Sequence, residues 1–97
     1  MQRDEALRRL RAHEPEFRRL GVRSLYLFGS TARGVAGAAS DVDLFFDYPK
    51  GSFGLFDLME VQEQAARILG TTADVTTRDG LHEALRPRIE ANAIRVF

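Results

Sequence analysis

The sequence predicts a mixed α+β (α/β) domain, with a small mixed sheet of three to four strands flanked by helices. Segments rich in β-branched and aromatic residues alternate with segments of helical periodicity, in the order α-β-α-β-α-β-α-β. The connections are short and carry Gly or Pro, which is typical of one folded unit. Of the 97 residues, 44% are hydrophobic, which is enough for one core, so we expect a single domain over 1–97.

Each element has a local signal in the chain. In the first half, apolar periodicity predicts a helix over 3–12, and Pro15 predicts a short helical turn after it. A run of β-branched and aromatic residues predicts a strand over 22–28, and the Gly-Ser pair that follows predicts a short helix over 31–36. In the second half, the same kinds of signal predict a strand over 42–48, a helix over 55–69, a strand over 73–77, a helical segment over 81–93 kinked at Pro87, and a short strand over 94–97.

Composition excludes several classes of protein. The absence of cysteine rules out a disulfide scaffold and a Cys-ligated zinc site. No apolar run approaches the roughly 20 residues that cross a bilayer, and the first residues lack the apolar segment of a signal peptide. We therefore expect a soluble, cytoplasmic protein. The 14 basic and 14 acidic residues give a net charge of zero, which neither favours nor excludes a nucleic-acid partner.

Two aspartates separated by one residue are the strongest chemical signal. Asp41 and Asp43 would share one side of a strand, because side chains alternate with period two. Like charges side by side repel, and Asp is disfavoured in strands, so a divalent cation between the carboxylates would explain the pair. Mg²⁺ takes one or two carboxylates and completes its shell with water and substrate phosphates. The alternative is a solvated edge strand, although Phe45 would share the same face.

Gly29 and Ser30 end the first predicted strand and open a helix. The first backbone N–H groups of a helix have no partner within it, and its dipole favours an anion there, so this turn suits a phosphate. It is not a Walker A loop, because Val35 and Ala36 stand where Lys and Ser/Thr are required. The alternative is an ordinary N-cap, since Ser is a favoured capping residue.

Asp74, early in the third predicted strand, is a third candidate acid. It can meet Asp41 and Asp43 only if the second and third strands run parallel with their starting ends together. Gly29 follows the first strand at its end. The first strand must therefore run antiparallel to the second if Gly29 is to lie at the same edge of the sheet as the acids. The alternative for Asp74 is an acid in a helix-to-strand loop.

At this point the chain resembles a known family. Residues 27–34, LFGSTARG, followed by 40–44, SDVDL, look like the signature of the DNA polymerase β-type nucleotidyltransferase superfamily. The chain is most similar to the minimal nucleotidyltransferase branch, which shares this spacing and has its third carboxylate where Asp74 lies. Two features depart from the usual pattern: residues 36–39 are less polar, and Thr31 stands where a basic residue is frequent.

The resemblance implies a nucleotidyltransferase palm that uses two Mg²⁺ ions and ATP or another nucleoside triphosphate. It would transfer a nucleoside monophosphate, by expectation AMP, to a hydroxyl acceptor. The three acids Asp41, Asp43 and Asp74 would be the catalytic and metal-binding residues. The nucleotide-binding residues would be Gly29, Ser30, Arg33 and Ser40.

The resemblance also implies a partner. Members of the minimal branch are often encoded beside a helical protein of the HEPN class and act as its antitoxin, so a hydroxyl of that toxin could be the acceptor. The alternative is a non-catalytic binding module that neutralises a helical partner by contact. Phe53, Phe56 and Met59 could form such a surface, or could belong to a small satellite core. An arginine-rich N-terminal helix makes nucleic acid possible but not favoured, because it lacks interleaved aromatic residues.

Overall fold

The structure, a computed structural model, describes residues 1–34, 41–49, 51 and 53–97. Its helices are α1 (Arg3–Ala12), α2 (Glu14–Arg19), α3 (Gly29–Arg33), α4 (Leu55–Leu69) and α5 (Arg86–Asn92), with a short 3₁₀ turn at Arg78–Gly80. Its strands are β1 (Ser24–Phe28), β2 (Val42–Asp47), β3 (Ala73–Thr77) and β4 (Ile94–Arg95).

The strands form one mixed sheet in the order β3-β2-β1-β4. Strand β1 is antiparallel to both β2 and β4, whereas β2 and β3 are parallel. The predicted α+β class and the predicted strand directions are therefore confirmed. Helix α4 provides the crossover connection that a parallel pair of neighbouring strands requires.

One face of the sheet carries the hydrophobic core. Helices α1 and α4 cover this face, and the alternating residues of β1, β2 and β3 point into it. Fully buried members from the strands are Leu25, Leu27, Val42, Leu44 and Phe46, and those from α1 and α4 are Ala6, Leu10, Val61, Ala65 and Leu69. Asp43 and Phe45 alternate with the core residues of β2 and therefore belong to the second face of the sheet.

The element boundaries needed several corrections. Helix α3 begins at Gly29, two residues before its predicted start, and its predicted end at residue 36 lies outside the described residues. The helical segment predicted from residue 81 begins only at Arg86, with Pro87 in its first turn. Proline lacks the N–H needed inside a helix but has the φ of a helix start, so it opens α5 instead of kinking it. Strand β1 begins two residues later than predicted, β2 ends one residue earlier, and β4 covers two residues.

The second face of the sheet is partly covered by α5, which Arg78 links to β2. The guanidinium of Arg78 donates to both carboxylate oxygens of Asp47, at 2.7 Å from Nε and 3.0 Å from Nη2. It also donates to Glu90 of α5 and lies 4.9 Å from the ring centre of Tyr26 and 5.0 Å from that of Phe45. The hydrogen bond to Asp47, and then that to Glu90, raise the pKa of Arg78, so its guanidinium keeps its charge.

Replacing Arg78 by Ala is expected to destabilise the domain by about 2–3 kcal/mol, because two half-buried carboxylates would lose their charged donor. Urea denaturation of the wild type and the variant measures this loss. Arg86→Ala is the matched control, since Arg86 makes longer contacts to Glu90 and Asp79 and its removal should cost less than about 1 kcal/mol. Equal losses in both variants would contradict the role given to Arg78.

The arginines of α1 and α2 are mostly engaged within the chain. Arg8 and Arg9 both donate to Glu5, and Arg18 donates to Glu14. Arg11 donates to the backbone carbonyls of β4 and the residue after it. The Arg11 contacts join α1 to the C-terminal segment, and all of these contacts leave less free positive charge than the composition suggests. Among the described residues, no helix is long and apolar enough to cross a membrane.

Candidate active site

The sheet topology brings the predicted phosphate turn and two of the acids to one edge. Phe28, the last residue of β1, pairs with Asp43, so Gly29 begins beside that carboxylate. Asp43 pairs in turn with Asp74 across the parallel β2–β3 ladder. Directly opposed residues on one face of a sheet have neighbouring side chains. Asp41 immediately precedes β2 and is exposed.

Gly29 leaves space for the Asp43 carboxylate. A Cβ atom built on Gly29 would lie 2.3 Å from Oδ2 of Asp43, a distance that real Cβ contacts do not reach. Gly29 also has φ of +76°, a conformation that strains residues with a side chain. Two independent reasons therefore require glycine at this position.

The charges around Asp43 oppose its ionisation. Burial raises the pKa of Asp43, and the neighbouring charges of Asp74 and Asp41 raise it further, while Arg33 lowers it. A carboxylate that is costly to ionise among other carboxylates is stabilised by a cation placed between them. The acids predicted from the sequence therefore interact with one another in the fold.

Ser30 lies inside the first turn of α3 and does not cap the helix. The N-cap position is occupied by Phe28, which makes no side-chain capping hydrogen bond. The alternative interpretation of Ser30 as an ordinary N-cap is therefore wrong. The first N–H groups of α3 and the Ser30 hydroxyl lie beside the acidic edge.

A pocket of about 480 Å³ adjoins Gly29 on the side of α5, within the size range of small-molecule sites. Its lining comprises Phe28, Gly29, Arg33, Arg88, Ile89 and Asn92. Gly29 and Arg33 were predicted from the sequence as nucleotide-binding residues, whereas the three residues of α5 were missed. Their helical spacing places them on one face of α5, but only the tertiary fold shows that this face meets α3.

The family model described as "Nucleotidyltransferase domain" matches residues 10–96. The chain belongs to this nucleotidyltransferase family. The match covers most of the chain, including every element that builds the acidic edge and the pocket.

Relatives of this nucleotidyltransferase confirm its resemblance to the minimal branch. The protein adenylyltransferase MntA of Thermococcus cleftensis is 32% identical over 88 residues, which cover 90% of this chain and 88% of that protein. A solved structure assigned as a minimal nucleotidyltransferase is 31% identical, with a TM-score of 0.75 and coverage of 97% of this chain and 95% of the other. A chain from a toxin–antitoxin crystal structure with AMP-PNP has a TM-score of 0.69 at 18% identity, covering all of this chain and 73% of that one, and this likeness concerns the fold alone.

The predicted metal ligands of the nucleotidyltransferase are brought together only in part. Asp43 and Asp74 are register partners and Asp41 is close enough to influence Asp43. Within 1–34, 41–49, 51 and 53–97, however, no group of three or more His, Cys, Asp or Glu residues is arranged to hold a metal ion. The predicted nucleotide-binding residue Ser40 lies outside the described residues.

Proposed function

We propose that this nucleotidyltransferase moves AMP from MgATP to a hydroxyl group on a helical HEPN-type toxin partner and so acts as an antitoxin. The observation that carries the proposal is the register of the sheet, which aligns Gly29, Asp43 and Asp74 at one edge. The name of the Thermococcus relative, a protein adenylyltransferase, supports AMP as the transferred group and a protein as the acceptor. A protein that shares this fold at 18% identity was crystallised as a toxin–antitoxin complex with AMP-PNP, which is compatible with an ATP substrate and a toxin partner.

Asp41, Asp43 and Asp74 would hold Mg²⁺, with two ions in the complete site. Their oxygen ligands suit a hard cation. Burial first, and then the charges of Asp74 and Asp41, raise the pKa of Asp43, and a bound cation would favour its ionised form. Mg²⁺ commonly uses one or two carboxylates together with substrate phosphates, which agrees with acids that pair across two strands. When bound, the metal supplies positive charge to the attacking and leaving oxygens of an in-line displacement.

The chain's own residues would position the substrates and move one proton. The N–H groups at the start of α3, the Ser30 hydroxyl, Arg33 and Ser40 would bind the phosphates. The acceptor oxygen forms a bond to the α-phosphorus while the bond from that phosphorus to the bridging oxygen breaks, and pyrophosphate leaves. Asp74 would accept the proton of the acceptor hydroxyl, because it is exposed to an incoming substrate. Catalysis would thus consist mainly of positioning and charge neutralisation.

An exposed apolar surface on α4 favours a protein partner. Leu55, Phe56 and Met59 are 70%, 80% and 51% exposed, and they lie on adjacent turns of the helix. Phe53 instead packs on the rings of Phe46 and Tyr48, at 5.2 and 4.8 Å between centres, and lies at the edge of the main hydrophobic core, so neither a partner surface nor a separate satellite core describes it. The exposed surface is also the observation that favours a second candidate function, neutralisation of the toxin by contact without chemistry.

Labelled ATP separates the two functions. We expect that a HEPN-type helical partner, incubated with this protein and Mg²⁺, incorporates label from ATP labelled at the α-phosphorus but not at the γ-phosphorus. Intact mass spectrometry of the partner would identify the added nucleotide, and peptide mapping would identify the modified hydroxyl. An unmodified partner that is nevertheless inhibited would support neutralisation by contact and contradict transfer. Label from the γ-phosphorus would indicate phosphoryl transfer and would also contradict the proposal.

A further inference from the structure

We propose that Arg88 of α5 binds the β- and γ-phosphates of the nucleoside triphosphate, opposite Arg33, and stabilises the pyrophosphate as it leaves. The inference rests on the proposed function and extends the substrate site from the sheet edge to the C-terminal helix. It assigns the pocket beside Gly29 to the phosphate tail of the substrate and not to its base.

Two arginines that form no ion pair in the described part of the chain line this pocket. Arg33 and Arg88 both line it, and neither forms an ion pair with any residue in the described part of the chain. The arginines that do contact a carboxylate there are Arg3, Arg8, Arg9, Arg18, Arg78 and Arg86. An anion bound between these two guanidinium groups would be attracted by both of them.

Two acids, Glu90 of α5 and Asp79 of the 3₁₀ turn, are paired with other arginines. Glu90, two residues along α5, binds Arg78 and Arg86. Asp79 contacts Arg86 as well. The pocket wall also contains the apolar side chains of Phe28 and Ile89, which reduce solvent screening of a charge bound there. The positive charge of Arg88 is therefore available to a ligand.

Helix α5 fixes the backbone of Arg88 beside the pocket. The Arg78–Glu90 bridge ties the helix to β2 through Asp47. On the next turn, Asn92 donates from Nδ2 to the backbone carbonyl of Arg88 at 2.9 Å. The side chain of Arg88 is exposed and can turn toward a phosphate from this anchored backbone position.

The position of Gly29 suggests the order of the phosphates. Gly29 lies against the Asp43 carboxylate and also lines the pocket. A triphosphate with its α-phosphorus at the acids would pass Gly29 and extend its other phosphates between Arg33 and Arg88. As the bond between the α-phosphorus and the bridging oxygen breaks, its electron pair stays on the pyrophosphate, where Arg88 neutralises the added charge.

Calorimetric titration with inorganic tripolyphosphate, ATP and AMP in the presence of Mg²⁺ tests this assignment. We expect Arg88→Ala to weaken binding of tripolyphosphate and ATP at least about tenfold, the loss of one charged hydrogen-bonding group, and to change AMP binding less than about twofold. Arg88→Lys should recover part of the loss, because it keeps the charge but not the forked donor. Arg19→Ala, which removes an exposed arginine of α2 that does not line the pocket, is the matched control and should bind all three ligands like the wild type.

The outcomes separate this inference from the proposed function. If the Arg88→Ala variant unfolds at the wild-type temperature and binds tripolyphosphate as tightly as the Arg19→Ala variant, Arg88 is not a phosphate ligand. This conclusion holds even if AMP transfer proceeds. Equal weakening of AMP and ATP binding would assign the pocket to the nucleoside and overturn the proposal. If Arg88→Ala selectively weakens triphosphate binding but the wild type transfers no AMP, the phosphate site stands and the proposed function fails. A wild type that binds none of the three ligands contradicts both.

Discussion

Asparagine in place of Asp43 is expected to reduce AMP transfer by at least about 10²–10³-fold, the loss found when one preorganised electrostatic group is removed. Asp43 is the central acid, because it pairs with Asp74 across the sheet and lies against Gly29. The asparagine side chain keeps the shape of the carboxylate but carries no charge for a metal ion. Substrate positioning by the rest of the site should survive, so the loss should appear mainly in kcat.

The same substitution is expected to stabilise the protein in the absence of Mg²⁺. The pKa of Asp43 is raised in the folded state by burial, Asp74 and Asp41, against the smaller opposing effect of Arg33. The folded state therefore holds this proton more tightly than the unfolded state, and its contribution to stability is lost as pH rises through the raised pKa. An asparagine at this position does not titrate, so above that pH the variant should be more stable than the wild type, by roughly 0.2–1 kcal/mol for a like-charge pair across strands.

Thermal unfolding of Asp43→Asn and wild type across the acidic-to-neutral range, with and without Mg²⁺, measures the change in stability, and the labelled-ATP assay measures transfer. Without metal the two unfolding curves should converge at low pH and separate as pH rises. Added Mg²⁺ should stabilise the wild type more than the variant. Asp79→Asn is the matched control, because Asp79 is an exposed acid outside the site and its loss should not alter transfer. A variant that transfers AMP normally, or that is less stable than wild type at neutral pH, would contradict the role of Asp43.

The sheet could be predicted from the sequence because its signals are local and mutually consistent. The helix α4 and the strand β3 have the boundaries that their periodicity and flanking glycines indicate. Strand directions followed from a single requirement, that Gly29, Asp43 and Asp74 meet at one edge, and the observed register agrees with it. A chemical constraint between distant residues therefore supplied the tertiary information that local pattern lacks.

The C-terminal third could not be predicted in the same way. Its helix begins at Arg86 because Pro87 favours a first turn, and the segment before it adopts a 3₁₀ turn and irregular structure. The Arg78 bridge to Asp47 and Glu90 has no local signal, since it joins three elements. Because the bridge cannot be recognised in the sequence, the closure of the pocket by α5 and the position of Arg88 beside Gly29 cannot be recognised there either.

Alanine in place of Gly29 is the second change with a large expected effect, because it combines two separate costs. The φ of +76° alone should cost about 1–3 kcal/mol for a residue with a side chain. The new Cβ would also lie 2.3 Å from Oδ2 of Asp43, so either the carboxylate or the turn must move. Both movements disturb the acidic edge and the start of α3, so AMP transfer should fall together with stability.

Gly51→Ala separates these two costs, because Gly51 has a similar φ of +85° and, its chain neighbours aside, no atom of the described residues lies within 4 Å of an added Cβ. This control should show the conformational cost alone and retain transfer, whereas Gly29→Ala should lose more stability and most of its activity. The collision itself is tested by a double-mutant cycle with Asp43→Ala. Removing the carboxylate should relieve the clash, so the double variant should be more stable than the sum of the single losses predicts, by roughly 0.5–3 kcal/mol. Strictly additive losses would show that Gly29 and Asp43 do not compete for the same space, and the steric argument for glycine at this turn would then fail.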